Sequence, residues 1–257
     1  VSEKLKTLGW YLQRPQLYPR LIDEARRILF AEEASPLNRT AEQATAWCSA
    51  RAVDTSTALQ QLTGTPPPAS VESLFPEVFT GAHRRAAKCP VKMGGPGDLD
   101  LLYWLAEHCA AKKVLETGVA YGWSSLALLL SLRHRPGSRL ISTDMPYPKL
   151  NNDRYVGQVV PEEFHFQWRL LRTADKQAIP RGLKEFGALD LCHYDSDKSY
   201  EGRAWAYPLL WNALCPGGIF ISDDIGDNVA FRDFVASTGL TPVVVAFQNK
   251  YVGVLVK

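Results

Sequence analysis

Two apolar runs end in groups that could do chemistry together. Leu189 to Tyr200, L-D-L-C-H-Y-D-S-D-K-S-Y, leads a predicted strand, Leu189 to Tyr194, into Asp195, Asp197 and Lys198. Ile219 to Asp224, I-F-I-S-D-D, leads another into Asp223 and Asp224. Ligands of open α/β sheets bind outside the carboxyl ends of the strands. Four carboxylates and one amine are therefore expected in one place, where ionic and acid–base chemistry become possible.

The stretch they have to meet is Lys113 to Ser131, K-V-L-E-T-G-V-A-Y-G-W-S-S-L-A-L-L-L-S. It predicts a buried strand at Val114 and Leu115, a turn at Gly118 and Gly122, and a helix carrying Leu126, Leu128, Leu129 and Leu130. Glycine lets a ligand approach the backbone, since it has no Cβ and tolerates positive φ. The spacing disfavours two ligand classes. A dinucleotide fingerprint needs G-x-G-x-x-G, and Ala120 stands where its second glycine would be; a phosphate loop needs G-K-[ST], which is absent here. Glu116 at the strand end, with Gly118 and Gly122 two and six positions later, resembles instead the first motif of class I S-adenosylmethionine-dependent methyltransferases. The second strand, Arg139 to Thr143, ends in Asp144, 26 residues after Gly118. A carboxylate there can accept hydrogen bonds from both ribose hydroxyls.

The rest of the chain supplies the elements that position these groups. A third strand is predicted at Gln167 to Leu171, with a helix after it to about Phe186. A helix from Tyr200 to Leu214 precedes the turn Pro216-Gly217-Gly218, which opens the strand Ile219 to Ser222. Pro242 to Phe247 and Tyr251 to Val256, separated by Gln248-Asn249-Lys250, read as a hairpin. That antiparallel pair suits the methyltransferase sheet better than a dehydrogenase. The expected fold is α/β: a Rossmann-like, seven-stranded methyltransferase sheet, mostly parallel with a C-terminal antiparallel hairpin, over residues 91–257. Residues 1–90 are expected to be a helical extension. Within it, Leu21 to Ala31 has helical spacing, Thr40 with Gln43 resembles a capping box starting a helix through Ala52, and Thr55 to Leu62 forms a helix closed by Gly64. Pro66 to Pro68 form a rigid connector. Trp10, Tyr11, Leu17, Tyr18, Phe30 and Trp47 suit a substrate lid, an oligomerisation arm or the cover of a sheet edge. Lys92 to Gly97, K-M-G-G-P-G, is a flexible loop before a helix from Asp98 to Ala111, and Met145 to Glu163 is expected to be a loop, with or without a short helix, over the site.

Composition narrows the partners. A net charge of +2 is too small to imply nucleic acid or an anionic membrane. No apolar run is long enough to span a bilayer, and V-S-E-K-L-K has no signal-like apolar region, so a cytoplasmic location is expected. Cys48, Cys89, Cys109, Cys192 and Cys215 are scattered without a C-x-x-C pair, which argues against structural zinc and a disulfide framework. His193 lies inside a predicted strand, as a core or site-wall residue.

From about Lys92 onward the chain resembles the small-molecule O-methyltransferases related to catechol and caffeoyl-CoA O-methyltransferases, and with them the macrolide-sugar O-methyltransferases. The resemblance implies S-adenosylmethionine bound by Met93, Glu116, Gly118, Ala120, Gly122, Ser124, Asp144, Asp175 and Asp195, with Glu116 near the amino-acid end and Asp175 toward the adenine. It implies Mg²⁺, or another divalent cation, on Asp195, Asp223 and Asp224, and Lys198 as general base. Oxygen-only ligands suit Mg²⁺, and three neighbouring carboxylates would repel without a cation. The Asp-Asp pair is that of the sugar branch, whereas a lysine at position 198 is that of the catechol branch. The expected substrate is a small molecule with vicinal oxygens, and a homodimer is expected. A metal-independent methyltransferase and a non-catalytic S-adenosylmethionine-fold protein are the alternatives.

Overall fold

The computed structural model describes residues 7, 9–18, 21–22, 37–146 and 152–257. The helix expected from Leu21 to Ala31 lies almost wholly outside them, as do Phe30 and part of the loop after Asp144. Alternating strands and helices build one eight-stranded sheet: β1 (Ala52–Val53), β2 (Lys113–Thr117), β3 (Arg139–Thr143), β4 (Trp168–Leu171), β5 (Leu189–Tyr194), β6 (Leu214–Ser222), β7 (Val243–Phe247) and β8 (Lys250–Val256). Their order is β1-β7-β8-β6-β5-β2-β3-β4. β8 runs antiparallel to both β6 and β7, and the other pairs are parallel. The expected seven-stranded sheet is thus present, lengthened by a two-residue strand from the N-terminal segment.

Neighbouring residues of the central strands serve opposite faces. Val114, Leu191, Ile219 and Ile221 pack against helices α5 (Leu99–His108) and α6 (Trp123–Leu132). Leu115, Cys192 and Phe220 pack against α7 (Asp175–Phe186), α8 (Tyr200–Ala213) and α9 (Ala230–Thr238). Both faces are covered, so β2, β3 and β5 are buried along almost their whole length. The N-terminal helices join this core. Ala58 and Leu59 of α2 (Thr55–Thr63), Val71 of α3 (Val71–Leu74), and Phe79 and Ala82 of α4 (Pro76–Ala87) share the α5 and α6 core, and Cys48 of α1 (Leu37–Ser49) shares the other.

Local differences from the sequence reading have physical causes. α1 begins at Leu37, so Thr40 lies inside the helix and does not cap it; it ends at Ser49 because Ala52 and Val53 leave to pair with Val244 and Val245. α2 ends as expected at Gly64, whose φ is 84°. The P-G-G turn is absorbed into β6: the register jumps from Leu189–Leu214 to Leu191–Ile219, and Gly217 N donates to the Lys257 carbonyl. The hairpin turn has two residues rather than three, with Gln248 and Asn249 at φ 47° and 64°, the left-handed pair that matches strand twist.

Candidate active site

β2 has β3 on one side and β5 on the other, so the strand order reverses there and leaves a crevice at the strand ends. A cleft of about 330 Å³ opens at this point, lined by Gly118, Val119, Ala120, Trp123, Ser124, Asp144, His193, Asp195, Ser196, Lys198 and Asp223. The glycine loop Gly94–Gly97 with Asp98, and Phe247, Gln248 and Lys250 of the hairpin, close its other walls.

The turn after β2 fits only one backbone. Gly118 has φ 80°, and a Cβ there would lie 2.1 Å from the Asp195 carbonyl oxygen, so the absence of a side chain lets the β2 and β5 loops touch. Ala120 is also left-handed, at φ 48°. Asp144 locks the turn: Oδ2 accepts from the amides of Val119 at 2.9 Å and Ala120 at 3.0 Å. Its other oxygen is held by Arg172, which reaches on to Asp153 at 2.9 Å. The residue expected at the ribose therefore also builds the turn.

The carboxylates of β5 and β6 do converge. One oxygen from each of Asp195, Asp223 and Asp224 lies within 4.8 Å of the others. Lys198 Nζ is 3.1 Å from Asp195 Oδ1 and bonded to Asp224 Oδ2, while Lys250 Nζ is 2.9 Å from Asp224 Oδ1. Burial, then the charge of Asp223, raises the Asp195 pKa, with Lys198 and His193 opposing. Burial alone would lower the His193 pKa, but Glu116, Asp195 and Asp223 outweigh it and raise it. His193 Nδ1 stands 3.7 Å from Glu116 Oε1, an ion-pair distance too long for a hydrogen bond.

Several expected site residues face elsewhere. Glu116 is fully buried under the turn, where its Oε2 accepts from Ser125 and Ser142; a strand residue next to the turn points into the layers. Gly122 starts α6 at φ 92° and packs against Gly157, away from the cleft. Asp175 accepts from Thr143 and Ser196, and burial raises its pKa; Ser196, not Asp175, reaches the cleft wall. Met93 donates its amide to Tyr121 and accepts at sulfur from Asn152. Asp224 is not among the residues lining the cleft, although one of its oxygens joins the carboxylate cluster, and both lysines hold it. Asp98, Ser196 and Lys250 line the cleft without having been singled out. Asp98 had a usable signal, its place as N-cap of the helix after a glycine loop; Lys250 had none, because only tertiary folding brings the hairpin to β6.

Residues 115–225 match the family described as a methyltransferase domain. The chain superposes on the O-methyltransferase from Bacillus cereus solved with SAH, at TM-score 0.51 and 16% identity, covering 79% of this chain and 98% of that one. It also superposes on the SAH-bound methyltransferase of Podospora anserina, at TM-score 0.53 and 15% identity, covering 85% and 96%, and on a methyltransferase of Geobacter sulfurreducens, at 0.53 and 17%, covering 80% and 97%. No curated protein matches the sequence. The matched segment is thus similar to a methyltransferase domain, and the sheet around it has the fold of the class I S-adenosylmethionine-dependent methyltransferases. Among the described residues no helix is long and apolar enough to cross a membrane.

Proposed function

We propose that the protein transfers a methyl group from S-adenosylmethionine to a hydroxyl of a small molecule with vicinal oxygens, a catechol or a sugar, with the help of a divalent cation. The observation that carries this reading is the cleft in which the Gly118 turn and the Asp195–Asp223–Lys198 cluster share one wall. Its volume suits a small ligand. The donor set fits a hard cation: ligand oxygens on opposite sides of Mg²⁺ or Ca²⁺ stand about 4–5 Å apart, and the three carboxylates are that close. Asp195 and Asp223 would hold the ion, with Asp224 as third ligand once a lysine yields an oxygen.

When bound, S-adenosylmethionine supplies an electrophilic methyl group, and a divalent cation supplies Lewis acidity that eases ionisation of the acceptor hydroxyl. The chain does the rest. The turn, fixed by Asp144, would position the donor, and the glycine loop and the hairpin wall in the strand ends beside it. Lys198 is the assigned base: once the cation takes over its carboxylate partners Asp195 and Asp224, its ammonium would release a proton to solvent, and the neutral Nζ would then receive the hydroxyl proton. The exposed side chains of Leu12, Tyr18 and Ile22 support a dimer surface on the N-terminal segment.

Calorimetry and labelled methyl transfer to a panel of catechols and sugars test the reading. S-adenosylmethionine should bind, and EDTA should abolish transfer but not binding. Lys198→Met should keep the cofactor and lose about two to four orders of magnitude in turnover. Turnover close to the parent's would return Lys198 to a structural role. One feature favours a metal-independent methyltransferase: the two lysines already offset two of the three carboxylate charges. Transfer that survives EDTA would decide for it.

A further inference from the structure

One buried cation has no part in the chemistry above. Arg203, on α8, is fully buried. Its Nη2 donates to the carbonyl oxygens of Asp224 at 2.8 Å and Asp223 at 3.3 Å. Its Nε and Nη1 have no hydrogen-bond partner among the described residues, and Asp227 Oδ2 stands 3.9 Å away with a half-exposed side chain. A buried charge so sparsely bonded is costly, and an apolar side chain would fill the space at less cost. What distinguishes the guanidinium is where Nη2 points.

It points at a strained place. Asp224 has φ 51°, a conformation uncommon outside glycine. Its carbonyl is held from two sides, by Arg203 and by the Asp227 amide at 3.1 Å. Four residues on, Asn228 donates from Nδ2 to the Lys198 carbonyl at 2.8 Å, which ties the loop after β6 to the loop after β5. The carbonyl side of Asp223-Asp224 is thus clamped beneath the sheet end, and the side chains turn the other way, toward Asp195 and Lys198.

We propose that Arg203 is a positioning residue: by gripping the carbonyls of Asp223 and Asp224 it sets their carboxylates for a divalent cation shared with Asp195. The inference rests on the reading of these three aspartates as a cation site. The two ways a buried arginine could act there have opposite signs. As a bare positive charge beneath the carboxylates it repels a divalent cation, so its removal would tighten binding. As a clamp it preorganises the ligands, so its removal weakens binding, by about 10- to 100-fold for such supporting contacts.

The test is Mn²⁺ binding to the whole chain, followed by electron paramagnetic resonance, with S-adenosylmethionine affinity by calorimetry and the unfolding temperature alongside. Arg203→Met should weaken Mn²⁺ by about 10- to 100-fold, with cofactor affinity unchanged to within about threefold. Arg203→Lys keeps the charge but loses the planar fork, and should fall between. Should Arg203→Met fail to fold, Arg203→Lys carries the test alone. Mn²⁺ affinity equal to the parent's or tighter in the folded variants overturns the proposal, even if the unfolding temperature falls, since that result belongs to a merely structural arginine. A parent chain that binds no Mn²⁺ defeats the cation site itself, and with it the role of Arg203.

Discussion

Asp98 shows how a single side chain in the cleft wall carries a pH dependence. It is 5% exposed, accepts hydrogen bonds from Thr55 Oγ1 and the Leu101 amide, and burial pushes its pKa from 3.8 up to about 6. A carboxyl group with a raised folded pKa binds its proton more tightly in the native state. The stability this gives is fully present below about pH 4 and is lost as the pH rises toward 6. Above that range the ionised group weighs against folding by at most about 3 kcal/mol, at 1.36 kcal/mol per unit. Asp98→Asn removes the ionisation while an amide can still meet Thr55 and Leu101. Urea unfolding at pH 4 to 8 should therefore show the variant gaining on the parent between pH 4 and 6, then holding a constant advantage. A difference independent of pH would mean that Asp98 ionises freely in the native protein.

Elements built from their own apolar runs are legible in the sequence; those made by distant partners are not. β3 and β5 occupy the residues their composition predicts, Arg139–Thr143 and Leu189–Tyr194, because turn residues bound each run and both faces are buried. β1 is two residues long and exists only through its pairing with β7, so no periodicity can announce it. The site divides in the same way. Asp195, Lys198 and Asp223 are legible because they follow strand ends, whereas Glu116 and Asp175 follow the same rule yet turn into the layers, where Ser142 and Ser196 hold them. The turn itself can be tested. Gly118→Ala sets a Cβ against the Asp195 carbonyl at a left-handed φ, so the β2 and β5 loops have to part. A loss of at least about 2 kcal/mol, from backbone strain and displaced packing, is expected, with S-adenosylmethionine binding abolished in calorimetry. An alanine variant that binds the cofactor as the parent does would show that the two loops need not touch.

For the whole molecule the question is whether residues 1–90 are an appendage or part of the folding unit. Leu59, Val71 and Phe79 are each at most 2% exposed and belong to the core around α5 and α6. Burying such side chains is worth about 1.5–3 kcal/mol each, together about 5–9 kcal/mol. The net stability of a domain is about 5–15 kcal/mol, so their loss alone could exhaust it. Further ties run the same way: β1 covers the edge of β7, Arg85 donates to the Val159 carbonyl at 2.6 Å, and Thr55 holds Asp98 in the cleft wall. An uncovered β7 would also expose a strand edge that invites aggregation. A chain beginning at Val91 should therefore aggregate or melt without a cooperative transition, and should not bind S-adenosylmethionine in calorimetry. A cooperative transition together with parental cofactor affinity would show that the sheet folds alone, and would confine residues 37–90 to contacts with the acceptor or with a second copy of the chain.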